Sequence, residues 1–452
     1  MERDIHRTQI LMAQRGKRIS VIEGIFAQFH ITLTGGMFLT AFALFLNANP
    51  FQMGVLVSIP SLLAGAGFFS AYIANLTGKR KAPGLFTALV GRSLFLFFII
   101  GLVFNIRISI SFFFVIIFFF NLLMNFSGNL WLSWMSDLVP KEERGRYFGI
   151  RNTIISGVGM VVNYAGGKVL DIYVPNQAFV IIFSVAVFFA VLAGITLSFQ
   201  PEPGFEKKPI HFKDVFLIPL RDSNFLALIR FVSFWYLFAG IAGPFWVVHM
   251  IKNLKMAYST IAIYGIIAGI ASLVFQLFWG KLIDKVKSKP ILAINFVGIT
   301  FLPIIWLFAR PDFILPIWID AFFSGLFWCG INLSLFNILL SLTEEKELKE
   351  SYFAVFSTIT GFCGFLSSIL GGLIAQLLVN FRFEFLGQVF VNFHMLFIGT
   401  SFFRFLSMFL LRKVREKEAY PTLTALQLIG DYTVRRLNEH KDLLLNTLRF
   451  TK

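Results

Sequence analysis

Long apolar runs alternate along this chain with short polar, mostly basic, intervals. The runs fall at approximately 19–46, 51–75, 83–104, 108–136, 147–170 and 177–199, and then at 223–250, 257–283, 289–309, 312–341, 351–379 and 388–412. Such runs reach the roughly 18 residues that let a helix cross a bilayer. The pattern predicts an all-α polytopic membrane protein with twelve transmembrane helices, six on each side of a polar interval at 200–222. That interval carries Pro201, Pro203, Gly204, Lys207, Lys208 and Pro209 and reads as a solvated linker, with room for a surface helix.

The two sets of six echo each other. Ala71 to Lys81 and Trp279 to Pro290 share the pattern small-x-aliphatic-aliphatic-Asp/Asn-x-x-x-basic, with Asp284 lying 209 positions after Asn75. Gly166-Gly167 recurs as Gly371-Gly372, and Tyr147-Phe148 as Tyr352-Phe353, each 205 positions later. A period this long excludes a solenoid and predicts two pseudo-symmetric six-helix bundles, 1–199 and 223–412, followed by a tail at 413–452. Duplicated halves in a membrane are a common plan of secondary transporters.

Composition agrees: 57% of residues are hydrophobic and 14% charged, against about 25% charged in soluble domains. The net charge of +16 raises the question of a nucleic-acid partner. Thirty-one of the 40 Lys and Arg fall in the amino terminus, the even-to-odd connections, the linker and the tail, six in the opposite connections and three inside runs. The positive-inside rule then places both termini in the cytoplasm of a multi-pass protein of the cell (inner or plasma) membrane, and topology accounts for the basic charge without nucleic acid. Cys329 and Cys363 lie inside apolar runs, which supports neither a disulfide nor a metal site. The first 18 residues are polar without a cleavage-site pattern, so the first run reads as an uncleaved helix. In the tail, Leu426, Ile429, Leu437, Leu444 and Leu448 recur at helical spacing among Arg435, Arg436, Lys441 and Arg449. Two readings stay open for it, a helix lying on lipid headgroups and a helix packed on the cytoplasmic loops.

The connections after runs two and eight carry the clearest motif. It resembles the loop G-x-L-A-D-R-x-G-R-K of the major facilitator superfamily. In the second copy Gly280, Leu282, Ile283, Asp284 and Lys289 match, and Lys287 stands where Gly is usual. In the first, Ala74, Gly78, Lys79 and Arg80 match, while Ala71 replaces Gly and Asn75 replaces Asp. Asp137 to Arg146 is similar to the family's D-x-x-P-x-E-x-R-G-R turn, through Asp137, Pro140, Glu142, Arg144, Gly145 and Arg146. The resemblance implies two bundles that rock about a central cavity, with these loops as gating elements. Charge-assisted bonds between such loops exist only in one state and therefore bias it. On this reading Asn75 pairs with the Arg144–Arg151 region, and Asp284 with Lys346 or Lys349. The Gly-Pro pattern of antiporter spans is nearly absent from run five, where Val158, Val162 and Asn163 stand and only Gly166-Gly167 remains, which argues against a drug/proton antiporter.

Polar side chains are costly in hydrocarbon and concentrate toward the bundle interior. Asn121, Asn125 and Asn129 share one face of run four. Gln28, His30 and Thr34 in run one, Asn163 in run five, Trp235 and Tyr236 in run seven, Gln276 in run eight, and Trp328 and Asn332 in run ten complete the candidate cavity. The resemblance implies that runs one, four, seven and ten line it. Glu23, His30 and Asp320 are the candidates for coupling to H+, His30 because an imidazole titrates near neutrality. Arg92 and Arg404 lie some eight residues inside the cytoplasmic ends of their runs and are expected to snorkel, while Arg230, at similar depth, is a candidate contact for an anionic solute. With no nucleophile–base pair, phosphate loop or metal-ligand cluster, an enzyme, a cofactor and a metal are not expected. The sequence points to a monomeric transporter, secondary active or facilitative, that moves a small, sugar- or nucleoside-like solute by alternating access. An exporter of amphipathic compounds is the alternative, and a receptor or lipid-moving protein is the alternative of another class.

Overall fold

The computed structural model describes residues 2–64, 67–204, 218–344, 346, 349–385, 387–428 and 430. Twelve helical segments follow the predicted order. Among the described residues, nine are long and apolar enough to cross a membrane: Leu11–Phe45, Lys81–Val103, Ile110–Leu138, Pro175–Ser198, Tyr258–Val286, Ser288–Phe308, Leu315–Thr343, Ser351–Leu377 and Asn392–Leu411. The other three are span two, split into Pro50–Leu63 and Gly67–Thr77; span five, Arg144–Ile172; and span seven, Ser223–Ala239 with Phe245–Lys252.

The internal repeat is visible in the element boundaries. Spans four and five, Ile110–Leu138 and Arg144–Ile172, have 29 residues each. They return as spans ten and eleven, Leu315–Thr343 and Lys349–Leu377, again of 29 residues and each starting 205 positions later. Spans one and seven are both interrupted near mid-depth. Span one breaks at Thr34-Gly35, where Gly36 adopts φ +47, a left-handed conformation that glycine enters without Cβ strain. Span seven breaks over Gly240–Pro244, where proline cannot donate to a continuing helix.

Two details depart from the apolar pattern. The first helix begins at Glu2, so the polar amino-terminal stretch continues span one beyond its apolar part. Span twelve begins at Asn392 and not at 388, because Arg382–Phe385 and Gln388–Val391 form an antiparallel hairpin with Gly387 at its turn. The period-two alternation Arg382-Phe383-Glu384-Phe385 is a strand signal that hydropathy alone hides.

A packed core fills each half. In the first, Phe38, Phe42, Phe95, Phe98, Phe113, Phe179 and Phe183 are at most 1% exposed, with Phe42 edge-on to Phe179 and Phe183 and Phe95 edge-on to Phe183. The second is built around Phe225, Phe231, Trp235, Phe296 and Ile331. The outer surface is apolar, with Val161, Leu277 and Phe402 each more than half exposed. Patches of this extent demand lipid.

The face carrying the even-to-odd connections and the linker is here called the basic face, and its opposite the far face. At the far face the halves are in contact, span two against span eleven and span five against span eight. The glycines of the repeat sit at these crossings. A Cβ on Gly372 would lie 2.9 Å from the Phe51 carbonyl oxygen and 3.0 Å from Gly54 Cα, and one on Gly167 3.0 Å from Ser259 Cα. Toward the basic face the halves part, and a Cβ on Gly128, Gly145, Gly149 or Gly157 would meet nothing within 4 Å.

Residues 422–428 of the tail are helical. Ala425 is fully buried against the ends of spans eight and nine, and the Tyr420 N–H donates to the Val286 carbonyl. Leu426, of the predicted apolar stripe, is 46% exposed. Ile429, Leu437, Leu444, Leu448 and the tail's basic residues from Arg435 onward lie outside the described residues, as do 205–217 of the linker.

Candidate functional site

Between the halves lies a cavity of 770 Å3 lined from spans one, two, four and seven. Asn121, Asn125 and Asn129 form its polar edge, with Thr34 and Thr40 nearby. The wall is otherwise apolar: Ile31, Leu56, Val57, Phe120, Leu132 and Val247. Each asparagine donates its Nδ2 to the carbonyl one turn earlier, at 2.8, 2.9 and 2.8 Å to Ile117, Asn121 and Asn125. Their amide oxygens are left as a row of acceptors one helical turn apart.

Other predicted cavity residues sit elsewhere. His30 is fully buried inside the first half, its Nδ1 3.2 Å from the Ala186 carbonyl and its ring edge-on to Phe95 and Phe120. Trp235 is 1% exposed and packs edge-on to Phe296, with ring centres 4.1 Å apart. Both belong to the cores, where aromatic rings bury a large apolar area edge-on to one another. Gln28 donates to Thr32 and packs on Gly159. Asn163 faces Gly265 across the two halves. Tyr236 packs half-buried beside the second core. Gln276 and Asn332 are exposed on spans eight and ten and line none of the described cavities. Trp328 belongs to a smaller pocket of 190 Å3 within the second half, together with Asp320, Tyr264 and Arg404.

Arg92 and Arg404 do not snorkel. Arg92 and Arg151 flank the buried Glu23 at 3.6 and 3.7 Å, and the Arg151 guanidinium stacks 4.4 Å from the Trp131 ring centre. Arg404 lies 5.6 Å from the rings of both Trp235 and Trp328. Each arginine has found a carboxylate or an aromatic face inside its own bundle, a shorter path than the headgroups. Arg230 is exposed and lines none of the described cavities.

The loop motifs take unforeseen partners. Gly78, at φ +65, turns the chain into span three. Arg80, 1% exposed, pairs with Asp137 at 2.5 Å and also donates to Ser133. Glu202 accepts from the Arg80 and Lys81 backbone N–H groups at 2.6 and 2.9 Å. In the second half Glu416 accepts from those of Ser288 and Lys289 at 3.1 and 2.6 Å. So in both halves a carboxylate just past the sixth span caps the start of the third, satisfying N–H groups that a helix leaves open. Lys81 and Lys289 also match, donating to the carbonyls of Gln200 and Val414. Neither glutamate was legible, since each lies more than a hundred residues from its partner.

Asn75 is half-buried and Lys79 exposed. Arg144 donates to the Val139 and Ser136 carbonyls, and Arg146 lines a groove with Lys17, Arg18 and Glu143. Gly280 has room to spare. Lys346 pairs with Asp222, at 3.0 Å, instead of with Asp284. Partial burial pushes the Asp222 carboxyl up, but Lys346 and the N–H groups of Phe225 and Asn224 outweigh it and hold the group below its ordinary range. Asp284 is exposed on a crevice of 860 Å3 at the basic face, and the Lys349 side chain is outside the described residues.

Two helical halves closed at one face and parted at the other, around a cavity at the seam, define a polytopic membrane protein of transporter architecture. The sequence pattern of the Major Facilitator Superfamily matches residues 24–372 and 236–435, and the chain belongs to that family. Among curated relatives, the proton-coupled antiporter flippase LtaA of Staphylococcus haemolyticus (strain JCSC1435) is 34% identical over 102 residues, covering 22% of this chain and 25% of its own. LtaA of Staphylococcus aureus (strain MSSA476) is 31% identical over 134 residues, covering 29% and 33%. The chain thus spans a quarter to a third of the length of these relatives. The fold is shared with the nucleoside transporter NupG, with TM-score 0.64, 11% identity and coverage of 90% and 100%. It is also shared with a bacterial homologue of the human lysosomal transporter Spinster in an inward-facing, occupied conformation, with TM-score 0.63, 13% identity and coverage of 92% and 98%.

Proposed function

We propose that this protein is an alternating-access transporter of an amphipathic solute with a hydroxyl-bearing head, coupled to H+. The observation that carries this reading is the acceptor row of Asn121, Asn125 and Asn129 set against an apolar wall in the 770 Å3 cavity. A hydroxylated head donates to the amide oxygens while an apolar body desolvates against Phe120, Leu56 and Val247. A wholly polar sugar or nucleoside would leave most of this wall unused, so the amphipathic alternative gains over the polar solute that the sequence favoured. The relatives named as flippases agree with an amphipathic cargo.

The moving bodies are 1–199 and 223–412, with both termini and the basic face in the cytoplasm and the inner or plasma membrane as location. The described arrangement is then the cytoplasm-open state, closed at the far face. Proteoliposomes tested with a labelled alkyl glycoside, an NBD-labelled glucosyl lipid, uridine and lactose distinguish the readings. Movement of the amphiphiles alone is expected, accelerated by a pH gradient. Movement of uridine or lactose alone would restore the polar-solute reading, and no flux of any probe would favour a receptor.

A further inference from the structure

The 190 Å3 pocket inside the second half is separate from the central cavity, yet the two share a wall. In the segment Phe245–Lys252, Val247 faces the central cavity and its neighbour Trp246 faces the pocket. At the pocket's centre the Tyr264 hydroxyl donates to Asp320 Oδ2 at 2.7 Å. The Arg404 guanidinium borders the same space. Its Nη1 donates to the Ile299 carbonyl at 2.8 Å, and its Nε is buried with no hydrogen-bond partner among the described residues.

We propose that Asp320 is the group that takes up and releases the coupling proton, and that Trp246 passes its charge state to the central cavity. The proposal rests on the transporter reading above and names a site within it. Of the three acid or imidazole candidates, Asp320 is the one that borders a described cavity. Glu23 is enclosed by Arg92 and Arg151, and His30 by phenylalanines and the Ala186 carbonyl. A volume of 190 Å3 has room for about six waters at ~30 Å3 each, enough to deliver or remove a proton.

The step is a simple exchange. A cavity hydronium gives its proton to a carboxylate oxygen of Asp320, forming O–H and leaving water; the reverse step returns it. Protonation removes the negative charge that balances Arg404 in the low-dielectric interior, and an unbalanced cation there is costly. Arg404 already lies 5.6 Å from the rings of Trp235 and Trp328, and with Asp320 neutral it gains by closing further on those faces. Trp246 stacks flat on Phe397 of span twelve at 4.3 Å and also touches Trp306 at 4.8 Å, so movement on the Arg404 side reaches the span-seven break.

The other titratable groups around Asp320 are Tyr264 on span eight and Arg404 on span twelve. His249 on span seven lies behind Trp306, with ring centres 6.1 Å apart, and His394 on span twelve lies 5.0 Å beyond His249. Span nine contributes Trp306 and Pro303, which do not titrate.

Three tryptophans line the pocket, so intrinsic fluorescence of the purified protein, read from pH 4 to 9, reports its charge state without any solute. The wild type is expected to titrate, Asp320→Asn to lose the transition, and His249→Gln to keep it. Tyr264→Phe, which removes a single hydroxyl, is expected to displace the midpoint by about one pH unit. In proteoliposomes with the NBD-labelled glucosyl lipid, Asp320→Asn should lose gradient-driven movement at least about tenfold and keep gradient-free exchange. A transition that persists in Asp320→Asn, a midpoint unmoved in Tyr264→Phe, or gradient-driven movement that survives Asp320→Asn would overturn the assignment. Absence of any flux in the wild type, with the fluorescence transition intact, would instead reject the transporter reading.

Discussion

Asp171, at the end of span five, caps span eight of the opposite half at Tyr258: its carboxylate accepts from the Tyr258 N–H at 2.7 Å and from the next N–H, of Ser259, at 3.0 Å. A negative charge on the positive end of a helix is favourable, and here the two partners belong to different halves. The contact exists only while the far face is closed, so it stabilises that state against its opposite. Asp171→Ala should weaken closure by about 1 kcal/mol, a roughly fivefold shift of population. A cysteine placed beside Ser259 should label faster from the far side in this variant, and an unchanged rate would show that the cap does not hold the closed state.

The crossing of spans two and eleven supports the same closure through close backbone approach. At Gly372 an added Cβ would stand 2.9 Å from a backbone oxygen that cannot rotate away. Gly372→Val should therefore push the halves apart at the far face, raise far-side labelling and slow transport with expression retained. Normal transport in this variant would mean that the crossing adapts.

If the asparagine row holds the solute's hydroxyls, Asn125→Leu should raise the apparent KM for the glucosyl lipid by about tenfold, the worth of one to two hydrogen bonds. Asn125→Gln, which keeps an acceptor, should lose less. Equal KM values in wild type and both variants would remove the row from the site.

Asp284 is exposed on the basic-face crevice and has no described partner in this state. A gating role requires that it find one when the basic face closes. Asp284→Ala should then lower turnover while expression holds, and unaltered turnover would leave the loop a topogenic element.

The Asp222–Lys346 pair predicts a pH dependence of stability. The folded Asp222 carboxyl lies below its ordinary value, so its contribution is present above the unfolded pKa of about 4 and is lost as pH falls through the lower folded value. The melting temperature of Lys346→Met should lie below that of the wild type at pH 6, with the gap closing toward pH 2.5. A gap independent of pH would assign the effect to packing instead.

The helix plan was open to inspection in the sequence because hydropathy acts locally: a run of apolar residues long enough to span must be helical to satisfy its own backbone. The repeat was equally plain, and the offset of 205 read from Gly166-Gly167 and Tyr147-Phe148 is the offset of the helix boundaries themselves. Tyr147 and Tyr352 also reach corresponding elements, donating to the Lys17 carbonyl inside the first helix and to Asp222 at the start of span seven. The asparagine row was readable because three side chains at four-residue spacing share a helix face whatever surrounds the helix.

Membership of the cavity was not readable for single polar or aromatic residues. His30 and Trp235 carry no local mark to separate a core ring from a cavity ring, and only the rotation of each helix against its neighbours placed them inside. Pairings across long separations were hidden for the same reason: Glu202 with Lys81, Glu416 with Lys289, Asp171 with Tyr258, Tyr264 with Asp320. The sequence by itself determined how many helices cross, their order and their duplication, because these follow from what each segment costs in water or lipid. The tertiary structure decided which charges meet and where space remains, because those depend on the angle and depth at which helices cross, set jointly by every side chain along the contact.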